Sequence, residues 1–294
     1  MKIFLIGKNG LLGKEFMTAL SGEEGFDLFA FDSKVMDICD EAQVCEIFEK
    51  DSPDFVINCA AYTRVDDAEE DREAAFKLNA DAVENLAKCC AKENAVLLHF
   101  STDYVFDGEK DGGYYEDDEP SPISVYGESK LKGEELLAEA LKEHYIVRTS
   151  LLFGENGQNF VNLMCRLFKE HDEVKVIGDK VASPTYAKDL AGGCVERFVL
   201  PFVSRASHPK DLLPKTEGDE QLPFGIYHLS NDGACSRFEL AQEIARITGS
   251  DVRLTEVESD FFKPKARRPA NSELLSRKTP TMRHWKEALE AYLA

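Results

Sequence analysis

The chain has 294 residues, of which 43% are hydrophobic, enough for the core of one large or two modest domains. Its 35 Lys and Arg against 55 Asp and Glu give a net charge of −20 without a basic run, which argues against nucleic-acid binding. The apolar part of the N-terminus is too short for a signal peptide, and no window approaches ~18 uncharged apolar residues. We therefore expect a cytoplasmic protein with no membrane segment. The eight scattered cysteines have no metal-ligand spacing, which predicts reduced thiols.

Strands and helices are predicted to alternate over residues 1–150. Short apolar runs predict strands, and apolar residues recurring every three or four positions predict helices. The predicted strands cover residues 2–7, 26–32, 53–61, 95–103 and 145–154. The predicted helices cover residues 11–20, 44–50, 72–94 and 126–143. The strand at 95–103 is apolar at consecutive positions, as in strands covered on both faces. This alternation predicts an α/β fold with a Rossmann-like, doubly wound parallel sheet.

Beyond residue 150 the pattern changes. Helices are predicted at 159–170, 186–200, 236–249 and 285–293, and strands at 173–179 and 225–230. Residues 201–224 contain four prolines and many charges, which predicts an exposed loop whose role the sequence leaves open. We expect residues 1–150, with elements from 174–200 and 224–231, to form a dinucleotide-binding domain. Residues 151–173 and 232–294 would form a smaller substrate-binding region.

Three glycines lie between the first predicted strand and the first helix. Gly7, Gly10 and Gly13 form G-x-x-G-x-x-G, a spacing that permits a tight turn and brings backbone N–H groups to a pyrophosphate. Alone these residues could be an ordinary turn, but Asp32 ends the next strand, where a carboxylate can bind an adenosine ribose. The carboxylate of Asp32 would repel a ribose 2′-phosphate, which favours NADH, whereas the positive charge of Lys34 could offset that repulsion. Either NADPH or NADH therefore remains possible.

A tyrosine and a lysine one helical turn apart predict a proton-delivery group. Free tyrosine has a pKa near ~10, and a nearby cation stabilises the phenolate, so we expect Lys130 to lower the pKa of Tyr126. Thr102 ends the fourth strand, where ligands of open α/β sheets bind, and its hydroxyl can reach the same carbonyl oxygen. Each residue alone has an ordinary structural interpretation. Together, and in a chain that begins with a glycine-rich loop, Thr102, Tyr126 and Lys130 favour a catalytic site.

At this point the sequence resembles the extended short-chain dehydrogenases/reductases, and within them the dTDP-4-dehydrorhamnose reductase family. The resemblance covers nearly the whole chain, and "STDYVFDG" with Y-G-x-S-K is its most specific part. The matching segments are "GKNGLLGKE" (7–15), "NCAAYTRVDDAE" (58–69), "NADAVENLA" (79–87), "STDYVFDG" (101–108), "PISVYGESKLKGE" (122–134), "IVRTS" (146–150), "ASPTYAKDLA" (182–191), "GIYHLSN" (225–231) and "RRPANSEL" (267–274).

The resemblance implies reduction of the C4 ketone of a nucleotide-linked 6-deoxysugar, from dTDP-4-dehydro-L-rhamnose to dTDP-L-rhamnose, by a hydride from NADPH or NADH. Tyr126 would donate the proton, Lys130 would assist it and hold the ribose, and Thr102 would polarise the carbonyl. The implied cofactor-binding residues are Gly7, Gly10, Leu11, Leu12, Gly13, Asp32, Asp37, Ile38, Ala61, Tyr62, Thr63, Tyr126 and Lys130. The implied substrate-binding residues are Val65, Thr102, Asp103, Tyr126, Leu151 and Arg268.

Two positions depart from the family pattern. Leu151 follows "RTS" where the family usually has a tryptophan that packs against the sugar, which leaves the sugar specificity open. Some members are dimers joined by a metal through acidic residues. Glu15 is present here, but Lys188 precedes Asp189 where two adjacent acids would be expected. We therefore predict no metal, and either a monomer or a homodimer.

Other interpretations remain possible. The same family includes a non-catalytic regulatory subunit of methionine adenosyltransferase, the beta type, which binds a dinucleotide. Another nucleotide-sugar epimerase or reductase is also possible, whereas dehydration is disfavoured because no glutamate accompanies Asp103. His99 and Trp285 are expected in the core. Arg267 and Arg268 suit either a nucleotide diphosphate or the protein surface.

Overall fold

The computed structural model describes residues 1–207 and 221–294. Its strands are β1 (Lys2–Ile6), β2 (Asp27–Phe31), β3 (Phe55–Asn58), β4 (Val96–Thr102), β5 (His144–Thr149), β6 (Leu152–Phe153), β7 (Glu173–Ile177), β8 (Val181–Ala182), β9 (Thr185–Tyr186), β10 (Gly225–His228), β11 (Asn231–Asp232), β12 (Cys235–Ser236), β13 (Arg253–Val257) and β14 (Met282–His284). Its α-helices are α1 (Leu11–Leu20), α2 (Glu41–Asp51), α3 (Val65–Ala68), α4 (Arg72–Phe76), α5 (Ala82–Glu93), α6 (Val125–Ala140), α7 (Phe160–Glu170), α8 (Ala187–Cys194), α9 (Leu200–Ser207), α10 (Arg237–Thr248) and α11 (Trp285–Leu293).

Six parallel strands form the central sheet, in the order β10-β5-β4-β3-β1-β2. The chain starts in β1, one strand in from an edge, forms that edge with β2, and then extends the sheet in the other direction through β3, β4, β5 and β10. The order of strands therefore reverses beside β1, where doubly wound folds bind ligands at the carboxyl ends of their strands. The predicted Rossmann-like fold is confirmed.

Alternate residues of β1 enter two separate cores, because successive side chains of a strand point to opposite faces. Ile3 and Leu5 pack with α1 and α8, whereas Phe4 and Ile6 pack with α2 and α5. All seven residues of β4 are buried. The sheet is thus covered by helices on both faces, which explains why its strands read as continuous apolar runs.

A third core lies in the C-terminal half. It contains side chains of α7, α10 and α11, including the buried Trp285. Strand β7 pairs with β13 and not with the central sheet, whereas β10 joins the sheet and α8 packs in the core with α1. Of the later segments expected to join the nucleotide-binding half, residues 174–177 therefore pair outside the central sheet. The exact division into two domains stays a prediction.

Two sequence predictions need correction. The predicted strand at 145–154 is broken after Thr149, because Leu151 has a φ of 41° and cannot continue an extended strand. The predicted loop at 201–224 begins as a helix, since α9 extends to Ser207; residues 208–220 lie outside the described part of the chain. Within residues 1–207 and 221–294, no helix is long and apolar enough to cross a membrane.

Candidate active site

The turn between β1 and α1 depends on two glycines. Gly7 has a φ of 83°, which side chains disfavour, and a Cβ on Gly13 would lie 2.1 Å from the Gly7 carbonyl oxygen. Gly10 precedes α1, and no side chain caps that helix. The first N–H groups of α1 are therefore free of side-chain acceptors, an arrangement that favours an anion at the helix N-terminus.

Asp32 lies where an adenosine ribose is expected. Its carboxylate accepts hydrogen bonds from the Lys34 backbone N–H and the Asn9 carboxamide, both at 3.0 Å. The backbone hydrogen bond from Lys34 is the main reason that the pKa of Asp32 lies below its usual value. The group is thus a fixed anion beside the glycine turn.

A cavity of about 660 Å³ opens beside the carboxyl ends of the central strands. It brings together most of the expected site residues. Those lining it are Gly10, Leu11, Leu12, Ala61, Thr63, Val65, Thr102, Asp103, Tyr126, Lys130, Leu151 and Arg268. Those that do not line it are Gly7, Gly13, Asp32, Asp37, Ile38 and Tyr62. The glycine turn and the expected proton-delivery group therefore share one cavity.

The expected adenine contacts lie outside that cavity. The Ile38 side chain is buried in the core with Phe4 and Phe31, and so it is not exposed to a ligand. Asp37 lines a separate surface depression, and its carboxylate accepts the Cys39 N–H. The contacts of Asp37 and Ile38 with adenine stay predictions.

Helix α6 positions Tyr126 and Lys130. The Ser124 side chain caps it by accepting the Gly127 N–H, so Tyr126 falls in the first turn and Lys130 in the second. A Cβ on Gly127 would lie 2.2 Å from the Tyr104 carbonyl oxygen. Glycine at this position therefore lets the start of α6 approach the segment that follows β4.

The pKa of Tyr126 moves opposite to the sequence prediction. Burial raises it above its usual value, which the Thr102 hydroxyl only partly opposes. The Tyr126 ring packs edge-on against Tyr104, with ring centroids 5.7 Å apart. The expected lowering by Lys130 is wrong for this structure, because the ammonium is directed elsewhere. The phenol stays protonated at neutral pH, as free tyrosine does, and its raised pKa makes it a weaker acid.

Lys130 is directed at β4. Its Nζ donates to the Phe100 carbonyl oxygen at 2.6 Å and lies 3.2 Å from His99 Nε2. Burial lowers the pKa of Lys130 to about 8. His99 is buried, as expected, and its Nδ1 lies 3.1 Å from the Asn58 Nδ2. A core histidine is therefore in direct contact with a proposed catalytic group.

We expect the stability of the protein to depend on pH through Lys130. Its pKa is about 8 when folded against the ordinary value of 10.5, so the unfolded chain binds more protons between these values. Stability should therefore rise with pH in this range, by at most about 1.4 kcal/mol per pH unit. Urea unfolding of the wild type and Lys130→Met at several pH values would measure this. A difference in unfolding free energy that does not change with pH would contradict it.

The Asp103 carboxylate accepts hydrogen bonds from three hydroxyl groups. Its Oδ1 accepts from Thr102 at 3.0 Å, and its Oδ2 accepts from Ser150 at 2.8 Å and Ser272 at 2.6 Å. Burial raises its pKa, and these hydroxyl groups oppose that rise. Ser150 and Ser272 were not singled out from the sequence, although both lie in matching segments. Asp103 thus ties β4 to the chain after β5 and to the C-terminal half.

Arg268 pairs with a residue that the sequence did not single out. Its guanidinium donates to both carboxylate oxygens of Asp66, at 2.8 and 2.5 Å. Asp66 also accepts the N–H groups of Lys265 and Ala266, each at 3.0 Å. These contacts, led by the Arg268 hydrogen bond, lower the pKa of Asp66 to about 2. Arg268 is therefore held at the cavity wall by α3.

The charge of the cavity is opposite to that of the whole chain. Among the described residues that line it are four cations, Lys130, Lys180, Arg237 and Arg268, and one carboxylate, that of Asp103. The chain as a whole carries −20. A cationic cavity with the uncapped start of α1 at one end fits an anionic ligand such as a dinucleotide.

Comparison with known proteins identifies the family. The family model described as RmlD substrate binding domain matches residues 1–294. The chain is 36% identical over 296 residues to the spore coat polysaccharide biosynthesis protein SpsK of Bacillus subtilis, covering 99% of this chain and 96% of that protein. It is 36% identical over 305 residues to a dTDP-4-dehydrorhamnose reductase of Mycobacterium tuberculosis, covering 100% and 92%.

A solved structure is equally similar. The crystal structure of dTDP-4-dehydrorhamnose reductase from Bacillus anthracis in complex with NADP matches with a TM-score of 0.88 at 35% identity, covering 99% of this chain and 98% of that one. With a family model that spans the full length and relatives above 30% identity, the chain belongs to the dTDP-4-dehydrorhamnose reductase family of the extended short-chain dehydrogenases/reductases.

Proposed function

We propose that the protein reduces the C4 ketone of dTDP-4-dehydro-L-rhamnose to give dTDP-L-rhamnose. The observation that carries this proposal is that Tyr126, Thr102 and Lys130 line the same cavity as Gly10, Leu11 and Leu12. A proton donor and a dinucleotide-binding turn must share one cavity for hydride and proton to reach the same carbonyl group.

The chain is an NAD(P)H-dependent oxidoreductase. NADPH or NADH supplies the hydride when bound. The residues of the chain bind the cofactor, orient the substrate and protonate its C4 oxygen. Gly10, Leu11 and Leu12 would hold the pyrophosphate at the start of α1. Tyr126 would give its hydroxyl proton to the C4 oxygen as negative charge develops there, and a donor placed beforehand at that oxygen lowers the barrier.

The substrate sugar is part of the proposal. Leu151 lines the cavity at the position where a tryptophan was expected, and Phe160 is an aromatic lining residue nearby in sequence. Phe160 was not singled out from the sequence. We propose that it supplies the flat apolar surface that Leu151 lacks. The preference between NADPH and NADH, the cytoplasmic location and the choice between monomer and homodimer stay predictions.

Turnover tests the proposed function. We expect the protein to oxidise NADPH in the presence of dTDP-4-dehydro-L-rhamnose, which absorbance of the reduced cofactor measures, and to form dTDP-L-rhamnose, which NMR of the product identifies. A parallel reaction with NADH gives the cofactor preference.

Two results would count against the reductase. Tight binding of NADPH without turnover would favour a regulatory subunit like that of methionine adenosyltransferase. Turnover that yields a different sugar would change the proposed substrate but not the proposed type of reaction. GDP- and UDP-linked 4-keto sugars serve as controls for the nucleotide.

A further inference from the structure

One of the cations in the cavity has no hydrogen-bonded or ion-pair partner within residues 1–207 and 221–294. Lys180 pairs with Asp179 at 3.1 Å, Arg268 pairs with Asp66, and Lys130 donates to the Phe100 carbonyl oxygen. Arg237 makes no hydrogen bond or ion pair with any residue in 1–207 or 221–294. Its guanidinium lies over the Phe160 ring, 5.7 Å from the centroid. A half-buried guanidinium that lacks an anion favours a ligand that brings one.

The backbone around Arg237 belongs to regular secondary structure, which fixes the position of this residue at the cavity. Arg237 is the first residue of α10, whose start is held by a capping box between Ser236 and Glu239. The preceding Cys235 pairs with Ala182 in a short antiparallel ladder. The acidic residue nearest in sequence, Glu239, is thus committed to the helix cap and not to Arg237.

Arg237, Arg268 and Tyr104 line the same cavity. Burial raises the pKa of the Tyr104 phenol, and the charges of Arg237 and Arg268 oppose that rise. Tyr104 in turn packs on Tyr126. Both guanidinium groups therefore belong to the cavity that holds the proposed proton donor, Tyr126.

We propose that Arg237 binds the diphosphate of the nucleotide-sugar substrate, with Arg268 as the second guanidinium group of the cavity. This inference rests on the proposed function, since it names the residue that holds the substrate whose ketone is reduced. Two guanidinium groups suit a diphosphate, because each can donate two parallel hydrogen bonds to phosphate oxygens. The charge of Arg268 is already balanced by Asp66. Arg237 therefore supplies the positive charge that is still available to a phosphate group.

The test compares two arginines that form no hydrogen bond or ion pair with the described part of the chain. Arg237→Gln and Arg166→Gln each remove one positive charge, but Arg166 is exposed on α7 and does not line the cavity. Binding of dTDP and of thymidine to the NADPH-saturated proteins would be measured by calorimetry. For Arg237→Gln we expect about 10- to 100-fold weaker dTDP binding and unchanged thymidine and NADPH binding. Arg166→Gln should bind all three like the wild type.

Further measurements separate binding from a folding role. Arg237→Lys should recover part of the dTDP affinity, because it keeps the charge but loses the planar fork. In turnover, Arg237→Gln should raise KM with little change in kcat, since the diphosphate contact is the same in the ground and transition states. The thermal unfolding midpoint should stay that of the wild type.

Three outcomes would overturn the assignment. Equal dTDP affinity in Arg237→Gln and the wild type, with turnover retained, would remove Arg237 and leave the proposed function intact. Loss of NADPH affinity in Arg237→Gln would assign the residue to the cofactor. If the wild type binds no dTDP and shows no turnover, both the inference and the proposed function fall.

Discussion

Tyr126→Phe should lower kcat by about 100- to 10,000-fold, the range for loss of a positioned proton donor. The ring contact with Tyr104 is kept in phenylalanine, so we expect the fold and the affinity for NADPH to be retained. Steady-state turnover and NADPH binding by fluorescence would measure both.

The matched control is Tyr115→Phe. Tyr115 also carries a phenol, but it packs under the Arg277 guanidinium, 3.9 Å from the ring centroid, and does not line the cavity. We expect its kcat to equal that of the wild type. If Tyr126→Phe retains the full rate, another group donates the proton and the assigned role of Tyr126 is wrong.

Glu134→Gln should cost about 3–5 kcal/mol in the free energy of unfolding. Glu134 of α6 pairs with Arg148 of β5, with Arg148 Nη2 2.6 Å from Glu134 Oε2, and both side chains are at most 3% exposed. Neutralising the carboxylate leaves a buried guanidinium without a counter-charge, which is more costly than losing a surface pair. Urea unfolding at neutral pH measures the difference.

Glu135→Gln provides the comparison, because the adjacent carboxylate pairs with Lys132 at the surface, where both side chains are about half exposed. That change should cost less than about 1 kcal/mol. Replacing both buried partners, by Glu134→Leu with Arg148→Met, should recover much of the loss. Similar costs for the two glutamine variants would mean that water reaches the buried pair.

The sequence predicted the parts of this molecule that depend on local periodicity. Strand β4 was found because its residues are apolar at consecutive positions, and α11 was predicted with the bounds that it has. The break at Leu151 was not predicted, because a positive φ in a leucine follows from tertiary packing and leaves no local pattern.

Side-chain contacts between residues far apart in the chain could not be predicted from the sequence either. The carboxylate of Asp103 meets Ser272, 169 positions away, and Asp66 meets Arg268, 202 positions away. Neither pair follows from spacing along the chain. The pKa of Tyr126 was predicted with the wrong sign, because the charge on Lys130 can be read from the sequence but the burial of the phenol cannot.

The hydrogen bond from Thr102 to Asp103 limits what the threonine can do. A hydroxyl group has one hydrogen, and that of Thr102 is already given to Asp103, while its oxygen accepts the Tyr104 N–H at 3.2 Å. While Asp103 is ionised, Thr102 can donate to a ketone only by leaving the carboxylate. A ketone entering the cavity would thus meet Tyr126 as its proton donor, and Thr102 as a second donor only once its hydroxyl has turned away from Asp103.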